Sequence, residues 1–279
     1  MELAIKIAPH HITWDTMLRV AGHADESGVY EQFWNFDHFY PIKGDTSGPC
    51  LESWVTLTAI AQATSRIRLG SMVNGIHHRH PAVVANMASA IDIVSGGRFE
   101  LGLGAGWNEE ESGAYGIELG SLRERFDRLD EGLEVLVGLL AEDETTFHGR
   151  YYQLTDARND PKGPQLPLPI CIGGTGEKRT LRSVARYASH WNLPMFDGET
   201  LRRKRDVLAG HCADAGTDVD AIKVSTHVFA SADADPAELV GAAEEQAEAG
   251  IDQSIVYFEP PVDLATVESV TEAMADGLG

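Results

Sequence analysis

The feature that most limits how this chain folds is a regular alternation of strand-like and helix-like segments along nearly its whole length. Short apolar runs at 3–8, 30–36, 67–73, 98–103, 170–172, 189–193, 222–230 and 253–258 read as strands. Helical patterns fall between and after them, at 13–25, 53–65, 81–94, 121–140, 177–188, 199–215, 235–249 and 264–274. Parallel neighbours need long crossovers, which helices supply, so this alternation implies a parallel sheet covered by helices. Eight such units in 279 residues favour an α/β fold of the closed (β/α)8 TIM-barrel type, as a single domain over 1–279. An open doubly wound sheet is the alternative.

The helix at 121–140 carries the clearest pattern. Leu122, Phe126, Leu129, Leu133, Leu136 and Leu140 recur every three or four residues. Ser121 and Glu124 form a capping box, and Glu124 and Arg128 stand one turn apart as an expected ion pair. Pro81 and the Asp235-Pro236 pair mark two further helix starts. Residues 145–154 break the rhythm and read as a β-hairpin turning at His148-Gly149, followed by a link containing Pro161, Pro164, Pro167 and Pro169.

Charge narrows the partners. With 22 Lys+Arg against 43 Asp+Glu the net charge is −21, so a phosphate-tracking surface for nucleic acid is not expected. No apolar run is long enough to span a membrane, and the start is too short and charged for a signal peptide. Cys50, Cys171 and Cys212 are odd in number and widely spaced, which points to reduced thiols and a cytoplasmic protein.

In a parallel barrel the site forms where strands run out into loops, and four unusual segments fall there. Asp37-His38 places a carboxylate beside an imidazole able to donate or accept a proton near neutral pH. Gly70 to Gly75, containing Met72, Val73 and Asn74, has small residues flanking a bend, which reads as a turn or a bulge. Period two along 99–106 puts Phe99, Leu101 and Leu103 on one face, and Glu100, Gly102, Gly104 and Gly106 on the other. These glycines leave room for a ring system or a phosphate. The spacing is not a Rossmann fingerprint, since Trp107 and Asn108 follow. Gly173-Gly174-Thr175-Gly176 runs into a helix beside Lys178 and Arg179, and reads as an anion cradle. His77-His78-Arg79-His80 has the look of a metal cluster, yet consecutive loop histidines rarely face one ion, so no metal site is expected. Cys171 reads as a buried inert thiol.

In this order Asp37-His38-Phe39, Arg79-His80-Pro81-Ala82, the run Gly96 to Trp107, Ile172-Gly173-Gly174 and Trp191-Asn192 resemble the bacterial luciferase-like flavin and deazaflavin oxidoreductases. The chain is most similar to the branch that uses coenzyme F420, an 8-hydroxy-5-deazaflavin. The resemblance implies a cofactor across the C-terminal mouth of a TIM barrel. A bulge with a non-proline cis peptide at Met72-Val73 would support the ring beside Asn74, and phosphate contacts would come from Gly104, Ala105, Gly106 and Gly173 to Gly176. Asp37 and His38 would lie at the reacting edge, with His38 moving the proton. His10, Phe39 and Trp107 would line a substrate pocket. In a sugar-phosphate dehydrogenase of this superfamily a glutamate follows the third glycine; Trp107 stands there instead, so that acid is not transferable. The reading is an F420-dependent oxidoreductase passing a hydride between reduced deazaflavin and a small organic substrate, expected as a homodimer. The alternatives are an FMN-dependent monooxygenase using molecular oxygen, a non-catalytic deazaflavin carrier, and a metal-dependent barrel hydrolase using His10, His11 and Asp37 or the 77–80 cluster.

Overall fold

The structure is a computed structural model that describes residues 1–278. In chain order its elements are β1 (Glu2–Ile7), α1 (Trp14–Ser27), β2 (Gln32–Asn35), α2 (Ser53–Ala63), β3 (Arg68–Ser71), β4 (Asn74–Gly75), α3 (Pro81–Ser95), β5 (Phe99–Gly104), α4 (Glu109–Ala114) and α5 (Leu122–Ala141). They continue with β6 (Thr145–His148), β7 (Gln153–Ala157), β8 (Ile170–Gly173), α6 (Thr180–Tyr187), β9 (His190–Asn192), α7 (Gly198–Ala215), β10 (Lys223–Ala230), α8 (Pro236–Glu248), β11 (Gln253–Phe258) and α9 (Leu264–Leu278).

The main sheet runs β3-β2-β1-β11-β10-β9-β8-β5-β4, every neighbour parallel. A further parallel pairing of β3 with β5, Leu69 opposite Phe99, closes it into a barrel. β3 and β4 are one barrel position interrupted at Met72-Val73, so the barrel has the eight positions of a (β/α)8 fold. The reason for closure is the period-two pattern. Phe99, Leu101 and Leu103 bury outward against the helices, while Ala4, Trp34, Met72, Cys171 and Ile255 pack together inside.

The barrel interior also holds a polar layer. Glu100 accepts from Gln32 Nε2 at 3.0 Å and from His190 Nδ1 at 2.6 Å, and His190 Nε2 meets Ser225 Oγ at 2.7 Å. The two bonds to Glu100 each skip a strand and so cross the interior, while His190 and Ser225 join the neighbouring β9 and β10. At the base, the Asp25 carboxylate receives the amides of Ser65, Arg66 and Ile67, and the Arg98 guanidinium reaches the carbonyls of Ala61, Thr64, Ile67 and Ser95. These groups satisfy the backbone where α2 and α3 hand over to strands.

Several expectations shift in detail. The hairpin forms, but it turns over 149–152 and its second strand extends to Ala157. The helix expected at 177–188 begins only at Thr180, leaving 174–179 as loop and turn. The capping box of α5 is present, with Ser121 as N-cap. The Glu124–Arg128 pair is not made: Glu124 binds back to Ser121, and Arg128 pairs with Glu118. Helix α4 was not anticipated, because six residues are too few for a periodic signal.

Candidate active site

The site begins with the interruption between β3 and β4. The Met72-Val73 peptide is cis, as the resemblance implied, and the Met72 amide still reaches the Asn35 carbonyl at 2.8 Å. The glycines of β5 and β8 accommodate this bulge. A Cβ on Gly102 would overlap the Ser71 carbonyl oxygen; one on Gly104 would lie 2.8 Å from Val73 Cγ2, and one on Gly173 3.2 Å from Val73 Cγ1. A Cβ on Gly106 would overlap the His77 ring, and one on Gly75 would come within 2.6 Å of it. The space beside the glycines was expected to be free for a ring or a phosphate. It is occupied instead by Val73 and His77, and the free volume lies beyond them.

That free volume is a cavity of about 460 Å³ at the C-terminal mouth, within the usual range for small-molecule sites. Of the expected residues, Asp37, His38, Met72, Val73, Gly104, Ala105, Gly106, Trp107, Gly173, Gly174, Thr175 and Gly176 line it. Three do not. Asn74 is buried behind the bulge, where its amide donates to the Gly102 carbonyl at 2.8 Å. His10 is buried against His11 and Phe36. Phe39 stacks on His78 and Tyr115, each at 4.7 Å. A strand end that has left the sheet no longer obeys the period-two rule, so residue type alone did not place these side chains.

On one wall an acid–histidine cluster has formed. Asp37 is 1% exposed, and its oxygens take Arg79 at 2.6 and 3.1 Å and His78 at 3.1 Å. Burial raises the Asp37 pKa, but these hydrogen bonds and the Arg79 charge outweigh it and hold the carboxyl below its ordinary range. Asp37 is therefore an ionised, fully engaged anchor rather than a free base. His38 is the group presented to the cavity. Its Nδ1 lies 2.7 Å from Glu111 Oε2, and Glu111 Oε1 accepts the Phe39 amide at 2.6 Å. Burial pushes the Glu111 carboxyl up, and bonds from His38 and Phe39 bring it below the usual value. An ionised carboxylate only accepts, so Nδ1 carries the proton and Nε2 is left for a ligand. The edge of Trp107, itself 59% exposed, lies against His38 at 5.5 Å.

Glu111 is a cavity-lining residue that sequence reasoning missed. It lies in α4, within the run Glu109-Glu110-Glu111 capped by Asn108. The acidic run was the available signal, but only the packing of α4 shows that the third glutamate turns inward. The side chains of 77–80 take different partners, although the His77 and His78 rings stay packed at 4.2 Å. His77 bonds Ser112, His78 and Arg79 bond Asp37, and His80 caps α3. Burial and the neighbouring His78 press the His77 pKa down to about 3, so it is neutral. Among the described residues the grouping with metal-ligand chemistry is Glu100, Cys171 and His190 in the barrel interior, where Glu100 and His190 already bond each other.

At the opposite end of the cavity, Gly173 to Gly176 lead into α6, which starts without a side-chain cap. The Leu181 amide donates to the Gly176 carbonyl at 3.0 Å and the Gly174 amide to the Asn192 carbonyl at 3.1 Å, so the amides of Thr175, Gly176 and Thr180 are the ones left to meet an anion. The basic residues expected to assist do not all do so. Arg179 turns away to Asp127 and Asp130 of α5 at 2.8 and 2.7 Å, and Lys178 is exposed. Arg125 is half-buried and donates to the Gly106 carbonyl at 3.3 Å.

A barrel with a bulged third position, a glycine-lined fourth strand and an acid-backed histidine at its mouth defines a luciferase-like (β/α)8 protein. The luciferase-like monooxygenase family profile matches residues 1–273, and the chain belongs to that family. It is 32% identical over 174 residues to an F420-dependent glucose-6-phosphate dehydrogenase of Amycolatopsis mediterranei, covering 62% of this chain and 50% of that protein. It is 31% identical over 216 residues to an F420-dependent hydroxymycolic acid dehydrogenase of Mycobacterium tuberculosis, covering 76% and 58%. A pyrimidine monooxygenase RutA of Enterobacter sp. is 30% identical over 175 residues, covering 60% and 48%. The chain thus spans about half the length of these relatives. Among solved structures, an F420-dependent secondary alcohol dehydrogenase holding an F420-acetone adduct superposes with TM-score 0.85 at 20% identity, covering 98% of both chains. That likeness shows the shared fold.

Proposed function

We propose that the protein is an oxidoreductase that passes a hydride between coenzyme F420 and a small organic substrate. The observation that carries this reading is His38, backed by Glu111, facing a cavity floored by the Val73 bulge. The residues fit a deazaflavin. Val73 and Met72 offer an apolar shelf, and the loop before α6 offers the amides of Thr175 and Gly176 to a phosphate tail. Gly104, Ala105 and Gly106 form the wall between them. When bound, the deazaflavin supplies the carbon that gives or takes the hydride. The protein's part is to hold ring and substrate face to face, exclude water with Trp107, and accept or return a proton at the Nε2 lone pair of His38. Glu111 fixes the His38 tautomer, and Asp37 with Arg79 and His78 braces the loop that carries it.

The test is parallel titration of F420 and FMN into the purified protein, followed by quenching of tryptophan fluorescence. Tight F420 binding with weak FMN binding supports the reading, and the reverse overturns it. The FMN-dependent monooxygenase is kept as a second reading because of the RutA similarity. Oxygen consumption with FMN and a reductant separates the two. Tight F420 binding without turnover across alcohols, ketones and enones would indicate a carrier.

Two further proposals concern setting. A cytoplasmic location accords with the three free thiols Cys50, Cys171 and Cys212 and with the lack of a membrane-crossing helix among the described residues. A homodimer accords with Val55 of α2 and Val83 of the adjoining α3, which are 69% and 51% exposed on outer surfaces.

A further inference from the structure

One pocket residue is used neither by the fold nor by the reading above. Lys6 of β1 lines the cavity, yet it is 8% exposed. The position on the barrel opposite β1 is β8, whose end carries Gly173 and Gly174, so Lys6 stands across the mouth from the α6 amides. Its ionisable neighbour inside the barrel is Cys171, a thiol that burial keeps protonated and so neutral. The ammonium lies 5.1 Å from the Tyr257 ring centroid and 5.9 Å from that of Phe36. Its side-chain hydrogen-bond partner is His227 Nε2 at 3.4 Å.

The His227 tautomer follows from its other nitrogen. Nδ1 lies 3.1 Å from the Pro194 carbonyl oxygen, which only accepts, so Nδ1 carries the proton. Nε2 therefore presents a lone pair, and Lys6 donates to it. Burial and the Lys6 charge keep His227 far below its ordinary pKa, hence uncharged. An ammonium has three donors, and this arrangement uses one. No carboxylate pairs with Lys6 among the described residues, although the chain has 43 acidic side chains. Burial draws its pKa down to about 8, which leaves it mostly protonated at neutral pH. Buried charges are ordinarily paired, because desolvation disfavours an isolated ion. Carbonyl or imidazole dipoles balance such a charge only in part; an anion balances it in full.

We propose that Lys6, held by His227, is the anchor for a carboxylate on the substrate. The protein would then act on a small organic acid, with the carboxylate against Lys6 and the reacting carbon nearer His38. This rests on the proposed hydride-transfer site, of which it would be the specificity-determining part.

The probes are butyrate and its neutral isostere butyramide, titrated calorimetrically into the protein with and without F420. F420 affinity is measured on the same samples by fluorescence quenching. The variants are Lys6→Met, which keeps chain length and apolar bulk, and Lys6→Arg, which restores the charge. Butyrate should bind the wild-type protein at least tenfold more tightly than butyramide. Lys6→Met should abolish that preference, Lys6→Arg should recover part of it, and neither should change F420 affinity more than about twofold. Butyrate binding no better than butyramide on the wild-type protein overturns the proposal whether or not any variant folds. Loss of F420 affinity in Lys6→Met with the butyrate preference intact also overturns it, and assigns Lys6 to the cofactor. A Lys6-dependent butyrate preference in a protein that does not bind F420 would leave the carboxylate subsite standing and overturn the hydride-transfer reading alone.

Discussion

Replacing Gly102 with alanine should damage the fold and the cavity together, and the structure sets the size of the effect. A Cβ there would overlap the Ser71 carbonyl oxygen and lie 3.1 Å from its carbonyl carbon. Both are backbone atoms of β3, just before the bulge, so no side-chain rotation relieves the clash. Overpacking typically costs about 1–3 kcal/mol, and a backbone-on-backbone overlap belongs at or above the upper end. A loss of about 3 kcal/mol lowers Tm by roughly 5 °C in a chain of this size. Because Val73 rides on this strand, F420 affinity should fall at least tenfold even at temperatures where the variant is folded. Gly104→Ala makes a graded comparison. Its Cβ would meet the Val73 side chain at 2.8 Å, which moves more easily, so about 1–2 kcal/mol is expected with a smaller loss of binding. Gly22→Ala is the control: in α1 its Cβ meets nothing within 4 Å, and the variant should gain about 0.5–1 kcal/mol. Urea denaturation and fluorescence titration of the three variants supply the measurements. Wild-type stability and F420 affinity in Gly102→Ala would refute the argument that this glycine exists to admit the bulge.

Three other outcomes are expected. Glu111→Gln removes a buried, charge-assisted bond to His38, of the kind worth about 1.5–3 kcal/mol, so kcat/KM should fall roughly 10- to 150-fold with F420 affinity little changed; nitrogen-edited NMR should show a changed His38 tautomer balance, and an unaltered ring would exclude Glu111 as its positioning group. Burial raises the Glu100 carboxyl, but His190 and Gln32 outweigh it and set its folded pKa at about 2. That lies below the unfolded value, so Glu100 contributes stability in full above about pH 4.5 and loses it as pH falls toward 2; Glu100→Gln should be less stable at neutral pH and show a flatter acid limb in urea midpoints. If the wild-type protein sediments as the proposed homodimer, Val55→Lys combined with Val83→Lys should shift it to monomer without changing the circular dichroism spectrum; an unshifted dimer would place the interface elsewhere, and a monomeric wild-type protein would refute the dimer.

Much of this architecture was written in one dimension. The alternation of strands and helices, the capping box at Ser121 and the outward face Phe99-Leu101-Leu103 are local or periodic signals, and all three appear in the structure. The sequence by itself also determined which loops form the site, because parallel strands alternating with helices send all their C-terminal ends to one mouth. Tertiary structure alone decided what occupies that mouth. The room left by Gly102 and Gly104 is filled by a neighbouring strand, a contact no pattern within 99–106 encodes. Glu111 turns inward while Glu109 and Glu110 face solvent, a choice made by how a short helix packs on the loop carrying His38. Asp37 and His38 are adjacent in sequence, yet one is consumed by Arg79 and the other offered to the cavity. Lys6 looks like any strand lysine until closure of the barrel surrounds it with neutral groups. Spacing along the chain sets which face a residue occupies; the charge state and partners of a side chain depend on groups hundreds of residues away, and only folding brings those together.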